Sequence, residues 1–469
     1  MTAATDASSV VRRLWQFCTV LRDDGLSYPD YVEQLTYLLF LKLSQERDGI
    51  GVPPRFGWNS FSGLSAVETR RHYEQVLSTL ATRAGILGFI FRHAKNKIRD
   101  PHKLKMLIAL IGDTYWGDAS VDIKGDAYEG LLEKNARDTK SGAGQYFTPR
   151  VLIDAIIECV APRPGETVLD PACGTGGFLL GAHRRLHAAA TTNRERKFLA
   201  ERALHGVELV EEVARLAAMN LLLHGVVGED RALPIVCGDS LTRTVDRRVD
   251  VVLSNPPFGA RGGGKYRSDE RPPETGNRIA APRVDTANKQ LNFVQHIVAL
   301  LKSGGRAAVI VPDNVLFEAG AAATVRRNLL ACCDLHTILR LPPGLFYAAG
   351  VKANVLFFNR LSKRDSVPQS VAFYDLRSGQ RFSLKTRPLR RSDLAEFVEL
   401  FHTRPSGERG RWYTVSRAQI LADPACGLDY WRAVGQGSVI NGATLDELAA
   451  ALAADFERAL AHIRAIQAG

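Results

Sequence analysis

Two adjacent prolines, Pro256 and Pro257, follow directly on a run that reads as a buried strand, Asp250 to Ser254. Proline locks φ and has no N–H, so the pair can neither extend a central strand nor sit inside a helix. The chain must stop there in a rigid loop at the carboxyl end of the strand. That edge is where open α/β sheets hold their ligands. The loop, Asn255-Pro256-Pro257-Phe258, offers an amide side chain, a carbonyl ahead of a proline and an aromatic face. Together these can grip a flat base that carries an exocyclic amine. Alone, the four residues suit a proline-stiffened turn equally well; a second motif upstream weighs against that plainer reading.

The second motif runs from Thr167 to Leu180. A short apolar strand ends in Asp170, and a turn holding Gly174, Thr175, Gly176 and Gly177 then enters a helix. Glycines allow positive φ and a close backbone approach to a ligand. The helix start presents free N–H groups to a polar or negative group. Such a turn also suits a nicotinamide dinucleotide, whose fingerprint is G-x-G-x-x-G. Here the run is G-T-G-G, and the acid precedes it at the strand tip. Two more strands end in acids. Leu204 to Glu208 puts Glu208 where ribose hydroxyls could donate to it, and Pro234 to Asp239 puts Asp239 at its tip. Each acid alone reads as a surface or capping carboxylate. Three at successive strand tips, followed by the proline loop, make a nucleoside pocket.

The order Gly144-Gln145-Tyr146-Phe147-Thr148-Pro149-Arg150, then D-P-A-C-G-T-G-G, G-V-E, G-D-S and N-P-P-F, resembles the amino-methylating DNA methyltransferases. More narrowly it is similar to the modification subunits of type I restriction–modification systems. The flanks share the likeness: Leu14 to Ser44, with Phe40 to Leu43, is similar to that family's helical entry, and Gly125 to Glu129 to the segment leading into Gln145.

The resemblance implies an α/β fold with a Rossmann-like S-adenosylmethionine-dependent methyltransferase domain, a helical N-terminal domain and a C-terminal helical tail. The expected spans are 1–138 helical, 139–400 methyltransferase and 401–469 helical and partner-binding. It implies S-adenosylmethionine as cofactor. Gln145, Tyr146, Phe147, Thr148, Pro149 and Arg150, with Gly174, Thr175, Gly176 and Gly177, would hold its methionine part. Glu208 would take the ribose hydroxyls, Asp239 the adenine amine, and Asp170 would lie near the sulfonium or the amino group. The expected reaction is methyl transfer to N6 of adenine. Asn255 and Pro256 would accept the two N6–H bonds, Pro257 would stiffen the loop and Phe258 would stack on the base. That atom is out of reach in a stacked duplex, so the base must be flipped out. Implied partners are double-stranded DNA, a DNA-specificity subunit, a second copy of the chain and a restriction (translocase/nuclease) subunit in a wider complex.

Composition fits this reading. The 469 residues are 45% hydrophobic and 24% charged, as in a soluble globular protein long enough for two or three domains. A formal charge of +11 favours a polyanionic partner, though many basic proteins bind no nucleic acid. Seven cysteines include no C-x-x-C pair, so no metal is expected and the thiols read as reduced. With no signal pattern and no long apolar run, a cytoplasmic protein without membrane contact is expected.

Residues up to about 138 read as helical, and the basic run Phe91 to Lys105 as a solvated helix face or a phosphate contact. From 139 to about 400, alternating strand and helix patterns argue a doubly wound sheet. Strands are expected at Arg306 to Val311, His336 to Arg340 and Asn354 to Phe358, and a helix at Asn292 to Leu301. On that helix His296 reads as packed or exposed rather than catalytic. Gly259 to Lys289 is a long Gly/Pro-rich basic stretch, either a flap over DNA or a plain insertion. Leu445, Leu448, Leu452, Phe456, Leu460 and Ile463 form one helical stripe, which folds back on its own domain or docks on a specificity subunit. Three rival readings stand: a methyltransferase for protein glutamine or an RNA guanine amine, a catalytically idle DNA-binding subunit, and a nicotinamide oxidoreductase. The first usually carries N-P-P-Y and lacks the long helical entry; intact Asn255 and glycine spacing count against the others.

Overall fold

A computed structural model describes residues 28–45, 51–113, 148–227, 232–242, 248–258, 283–346, 352–362, 368–377, 382, 387–432 and 439–441. The amino-terminal part is helical: α1 (Tyr28–Gln45), α2 (Ala66–Ala81), α3 (Gly85–Phe91) and α4 (Pro101–Gly112). Local sequence sets the helix starts. Ser65 and Glu68 close a reciprocal capping box on α2, and the Asp100 side chain caps α4 ahead of Pro101.

The next segment alternates α5 (Arg150–Val160), β1 (Val168–Asp170), α6 (Gly177–Ala189), α7 (Asn193–Glu201), β2 (Leu204–Glu208), α8 (Glu211–Leu223), β3 (Ile235–Cys237) and β4 (Val249–Ser254). Then come α9 (Lys289–Leu300), β5 (Leu301–Pro312), α10 (Asn314–Phe317), α11 (Ala321–Cys332), β6 (Cys333–Leu341), β7 (Ala353–Arg360), β8 (Ser370–Asp375), α12 (Arg391–Thr403) and β9 (Trp412–Ser416). The nine strands make one sheet in the order β3-β2-β1-β4-β5-β7-β6-β8-β9. β7 runs antiparallel to β5 and β6, and β9 antiparallel to β8; the other neighbours are parallel. The strand order reverses at β1, which lies between β2 and β4, with Val168 opposite both Leu204 and Val251. The tips of β1, β2 and β4 therefore meet at the switch point of a doubly wound sheet.

The central strands read as continuous apolar runs because helices cover both faces. Val251 and Leu253 of β4 enter one hydrophobic cluster and Val252 the other. The first cluster is continuous from Leu35 of α1 and Phe91 of α3 through α5, α6 and α8 to Phe397 of α12. The second joins α9 and α11 to Tyr413 and Tyr430.

Three expectations change. The boundary expected at residue 400 falls within α12, ahead of β9, which is an edge of the central sheet. The described part of the span expected to be a helical tail carries strands: β9, then the hairpin β10 (Tyr430–Arg432) and β11 (Val439–Asn441). The basic run at Phe91 to Lys105 is not one helix face, since residues 92–100 connect α3 and α4. Within it Lys97 donates to Asp30 at 2.7 Å and Glu33 at 2.6 Å, so that cation serves the fold. Residues 259–282 of the Gly/Pro-rich stretch and the stripe from Leu445 to Ile463 lie outside the described residues.

Candidate active site

Asp170 closes β1 and is fully buried. Its Oδ1 accepts from Ala172 N at 3.0 Å and from Ser254 Oγ of β4 at 2.8 Å. Burial pushes the carboxyl up to about 7 against the lowering effect of these two donors. Behind it the turn folds tightly: Gly176 N donates to Cys173 O at 2.8 Å, and Gly174 and Gly176 adopt φ of +53° and +86°. Gly176 is the N-cap of α6 and has no side chain to satisfy the first-turn N–H groups. The buried Asn220 of α8 donates to Thr175 O at 3.0 Å and holds the turn from below. At Gly177 the reason for glycine is room, since a Cβ there would lie 2.8 Å from Ile153 Cδ1 of α5.

Glu208 ends β2. Its carboxylate accepts from Gly174 N at 3.0 Å and Val210 N at 2.9 Å, and burial raises its pKa. So one expected ribose ligand is joined directly to the glycine turn. Leu209, the next residue, is 61% exposed, an apolar side chain held out at the strand tip. Asp239 lies past the end of β3, is exposed, and caps its own turn through Leu241 N at 2.9 Å.

The proline loop leaves β4 beside β1. Asn255 is buried; its Nδ2 donates to Thr148 Oγ1 at 3.0 Å, and its Oδ1 has no partner among the described residues. Pro256 is buried; Pro257 and Phe258 are half-buried. The Phe258 ring meets that of Phe346 edge to face, 5.7 Å apart at 88°. Thr148 is buried, Pro149 is the N-cap of α5 and Arg150 its first residue. Gln145, Tyr146 and Phe147 lie outside the described residues. The structure thus brings Thr148, Asp170, Gly174 to Gly177, Glu208 and Asn255 together through hydrogen bonds and the sheet register, whereas the hydrogen bonds of Asp239 among the described residues stay within its own turn.

His296 is packed, as expected: it is buried, within 3.1 Å of Ser240 Oγ, and burial pulls it down to about 4. Sequence reasoning missed Ser254, Leu209, Asn220 and Phe346. Ser254 had a visible signal, a polar residue ending the apolar run Val251 to Leu253. Asn220 and Phe346 come from distant segments and had none.

This arrangement sets a glycine turn and two strand-end acids beside a proline loop whose Asn255 Oδ1 has no partner among the described residues. The profile of the family described as N-6 DNA Methylase matches residues 119–425, more than half of the chain. The chain belongs to the N-6 DNA methylase family. The StySPI methylase subunit of a type I restriction enzyme from Salmonella potsdam is 38% identical to this methylase over 440 residues, covering 89% of it and 81% of the relative. The EcoKI methylase subunit of Escherichia coli K12 is 38% identical with the same coverage. A solved chain from a study of complex assembly and conformational transition of the type I R-M system superposes with a TM-score of 0.72 at 25% identity, covering 99% of this methylase and 98% of that chain. The methylase is therefore an adenine-specific DNA methyltransferase of the type I modification-subunit kind. Among the described residues no helix is long and apolar enough to cross a membrane.

Proposed function

We propose that the methylase transfers a methyl group from S-adenosylmethionine to N6 of an adenine turned out of double-stranded DNA, with Asn255, Pro256, Pro257 and Phe258 as the reacting loop. The observation that carries this reading is the Asn255 carboxamide: its donor is tied to Thr148 while its buried acceptor has no partner among the described residues. A buried acceptor without a donor costs about 1–3 kcal/mol. An exocyclic amine supplies the missing N–H.

The cofactor's fit rests on the cradle itself. Two positive-φ glycines clear the backbone, the α6 start offers N–H groups, and Glu208 and exposed Leu209 line the next strand tip. When bound, S-adenosylmethionine supplies a methyl already activated by its sulfonium. The chain's own work is then position and electrostatics. Gly174 to Gly177, with Gln145 to Arg150, hold the methionine part; Glu208 accepts from the ribose, Asp239 from the adenine amine, and Asp170 faces the cationic end. Asn255 Oδ1 and the Pro256 carbonyl would accept the two N6–H bonds and turn the nitrogen lone pair toward the methyl, and one N6 proton would leave to solvent after transfer. Phe258 stacks on the base.

In this reading α1 to α4 belong to a helical entry domain, the methyltransferase domain follows, and the carboxyl-terminal segment engages a DNA-specificity subunit in a complex with a second methylase copy and a restriction subunit. The test is labelled methyl transfer to bulk DNA beside equilibrium cofactor binding. Asn255→Ala is expected to abolish turnover and leave cofactor affinity within about twofold. Substantial turnover in that variant would remove Asn255 from the reaction.

A further inference from the structure

We propose that Thr148 is the positioning residue that sets the amide of Asn255 in its reactive orientation. The proposal rests on Asn255 being the amine-gripping residue and adds what makes it able to grip. A carboxamide has two nearly isosteric ends, and its last torsion is broad and roughly two-fold. Only one end can serve here. With Oδ1 facing the target amine, the loop presents an acceptor to an N–H donor. With Nδ2 facing it, two donors meet and the base is repelled. A contact that takes up the Nδ2 end favours the productive state.

The Thr148 hydroxyl is in place to do so. It accepts from Asn255 Nδ2 at 3.0 Å, across 107 residues of sequence, and both side chains are buried. Using up the donor end on Thr148 leaves Oδ1 as the end without a partner among the described residues. A hydroxyl can also donate, which would capture Oδ1 and present Nδ2. The chemistry of an amine substrate selects the first arrangement.

Both ends of this bond stand on stiff backbone. Thr148 precedes Pro149, and Asn255 precedes Pro256. A residue ahead of proline is confined to extended conformations. Thr148 is also β-branched, which restricts its χ1. Pro149 O in turn accepts from Leu152 N at 2.9 Å and Ile153 N at 3.1 Å, so the start of α5 anchors the segment. On the far side, Ser254, adjacent to Asn255, donates to Asp170 at 2.8 Å. The amide is thus held between two fixed points, and the Thr148 contact is the one that keeps its Nδ2 end occupied. This role differs from holding the cofactor, the role the family resemblance gives Thr148, and the two separate by experiment.

The full-length methylase, with any specificity subunit that co-purifies, is compared as wild type, Thr148→Val, Thr148→Ser and Asn255→Ala. Turnover is measured at saturating S-adenosylmethionine and DNA, cofactor Kd by calorimetry, and folding by thermal melting. Thr148→Val keeps shape and branching but loses the acceptor. At saturating cofactor it is expected to lower kcat about 10- to 100-fold, the scale of a misaligned reacting group, a loss that a rise in cofactor Kd does not account for. Thr148→Ser is expected to recover most of that loss, less than all of it because χ1 is freer. Thr148→Ala replaces the Val variant if the latter melts early. A Val variant with wild-type kcat, whether or not its cofactor Kd rises, overturns the positioning role. A Ser variant as poor as Val also overturns it, since a hydroxyl would then not be what matters. Turnover retained in Asn255→Ala instead sinks the reading of Asn255 itself, a separate failure from retained turnover in Thr148→Val alone.

Discussion

Phe258 carries two demands on one ring. It is half-buried and meets Phe346 edge to face, and the proposed reaction asks it to stack on a flipped base. Stacking of a base on an aromatic side chain is worth about 1–3 kcal/mol. Phe258→Ala is therefore expected to reduce turnover by roughly 5- to 150-fold, and Phe258→Trp to keep more of it. Equal loss in both variants, with lowered melting temperatures, would mean that contact with Phe346 is the ring's main task. Asp170 makes a prediction in pH. Burial holds its carboxyl near 7, against 3.8 ordinarily, so near neutrality the site holds it partly protonated. A cationic cofactor end beside it favours the carboxylate, so binding releases a proton and affinity should rise as pH goes from about 6 to about 8. In the free protein the sign is opposite: stability from the neutral carboxyl is full below 3.8 and is lost as pH rises through about 7. Calorimetry across this range on wild type and Asp170→Asn checks both. A wild-type affinity as flat as that of the Asn variant would take Asp170 away from the cationic end.

The turn between β1 and α6 shows why a motif is legible while its mechanics are not. The order of acid, glycines and helix was readable because each step has a local cause: apolar strand, positive φ, helix start. What each glycine faces was not, because that depends on other elements. A Cβ at Gly176 would lie 3.8 Å from Ala217 and Leu221 of α8, pointing away from the cradle. Gly176→Asp would thus strain a residue at φ +86° and press a carboxylate on an apolar helix face. The turn would spread from behind. Loss of cofactor binding with a lowered melting temperature is expected, and Gly176→Ala should show a milder form of both. Normal cofactor affinity in a folded Asp variant would take this turn out of the site. The same limit explains Arg326 of α11, invisible in a pattern yet buried and donating to the carbonyls of Val315, Glu318, Ala425 and Cys426 at 2.6–2.8 Å. Strand periodicity located the apolar centres of β4 to β7 but not their ends, with β5 starting at Leu301 rather than Arg306, and β8 and β9 passed unread. Their pairing partners, not their own short segments, make them strands.

At the scale of the molecule, the helical entry and the sheet are joined by one continuous hydrophobic cluster. They are also clasped by Arg215 of α8, which donates to the Arg92 carbonyl and reaches Glu33 of α1 at 3.5 Å. The other end is fastened differently. Arg340 of β6 bonds both Asp429 and the Tyr430 carbonyl, and Tyr430 is buried beside Phe373. The chain is thus tied to the sheet as far as the β10–β11 hairpin, whose last residue is Asn441. The apolar stripe from Leu445 to Ile463 begins just beyond that point. The proposed function leaves sequence choice to a partner subunit, and apolar residues spaced three or four apart suit docking on partner helices. Ending the chain after Asn441 is therefore expected to leave melting temperature and cofactor affinity close to those of the full chain, because the Arg340 anchor and the hairpin remain. The same truncation should prevent co-purification with a specificity subunit. The isolated full chain should bind cofactor yet methylate DNA slowly and without sequence preference, and its weak DNA binding should fade with added salt, as contacts of a +11 protein with phosphates do. Two results would refute this division of labour: site-specific methylation by the purified chain alone, or assembly with a specificity subunit unaffected by the truncation. Early melting of the truncated chain would instead assign the stripe to the methylase's own core.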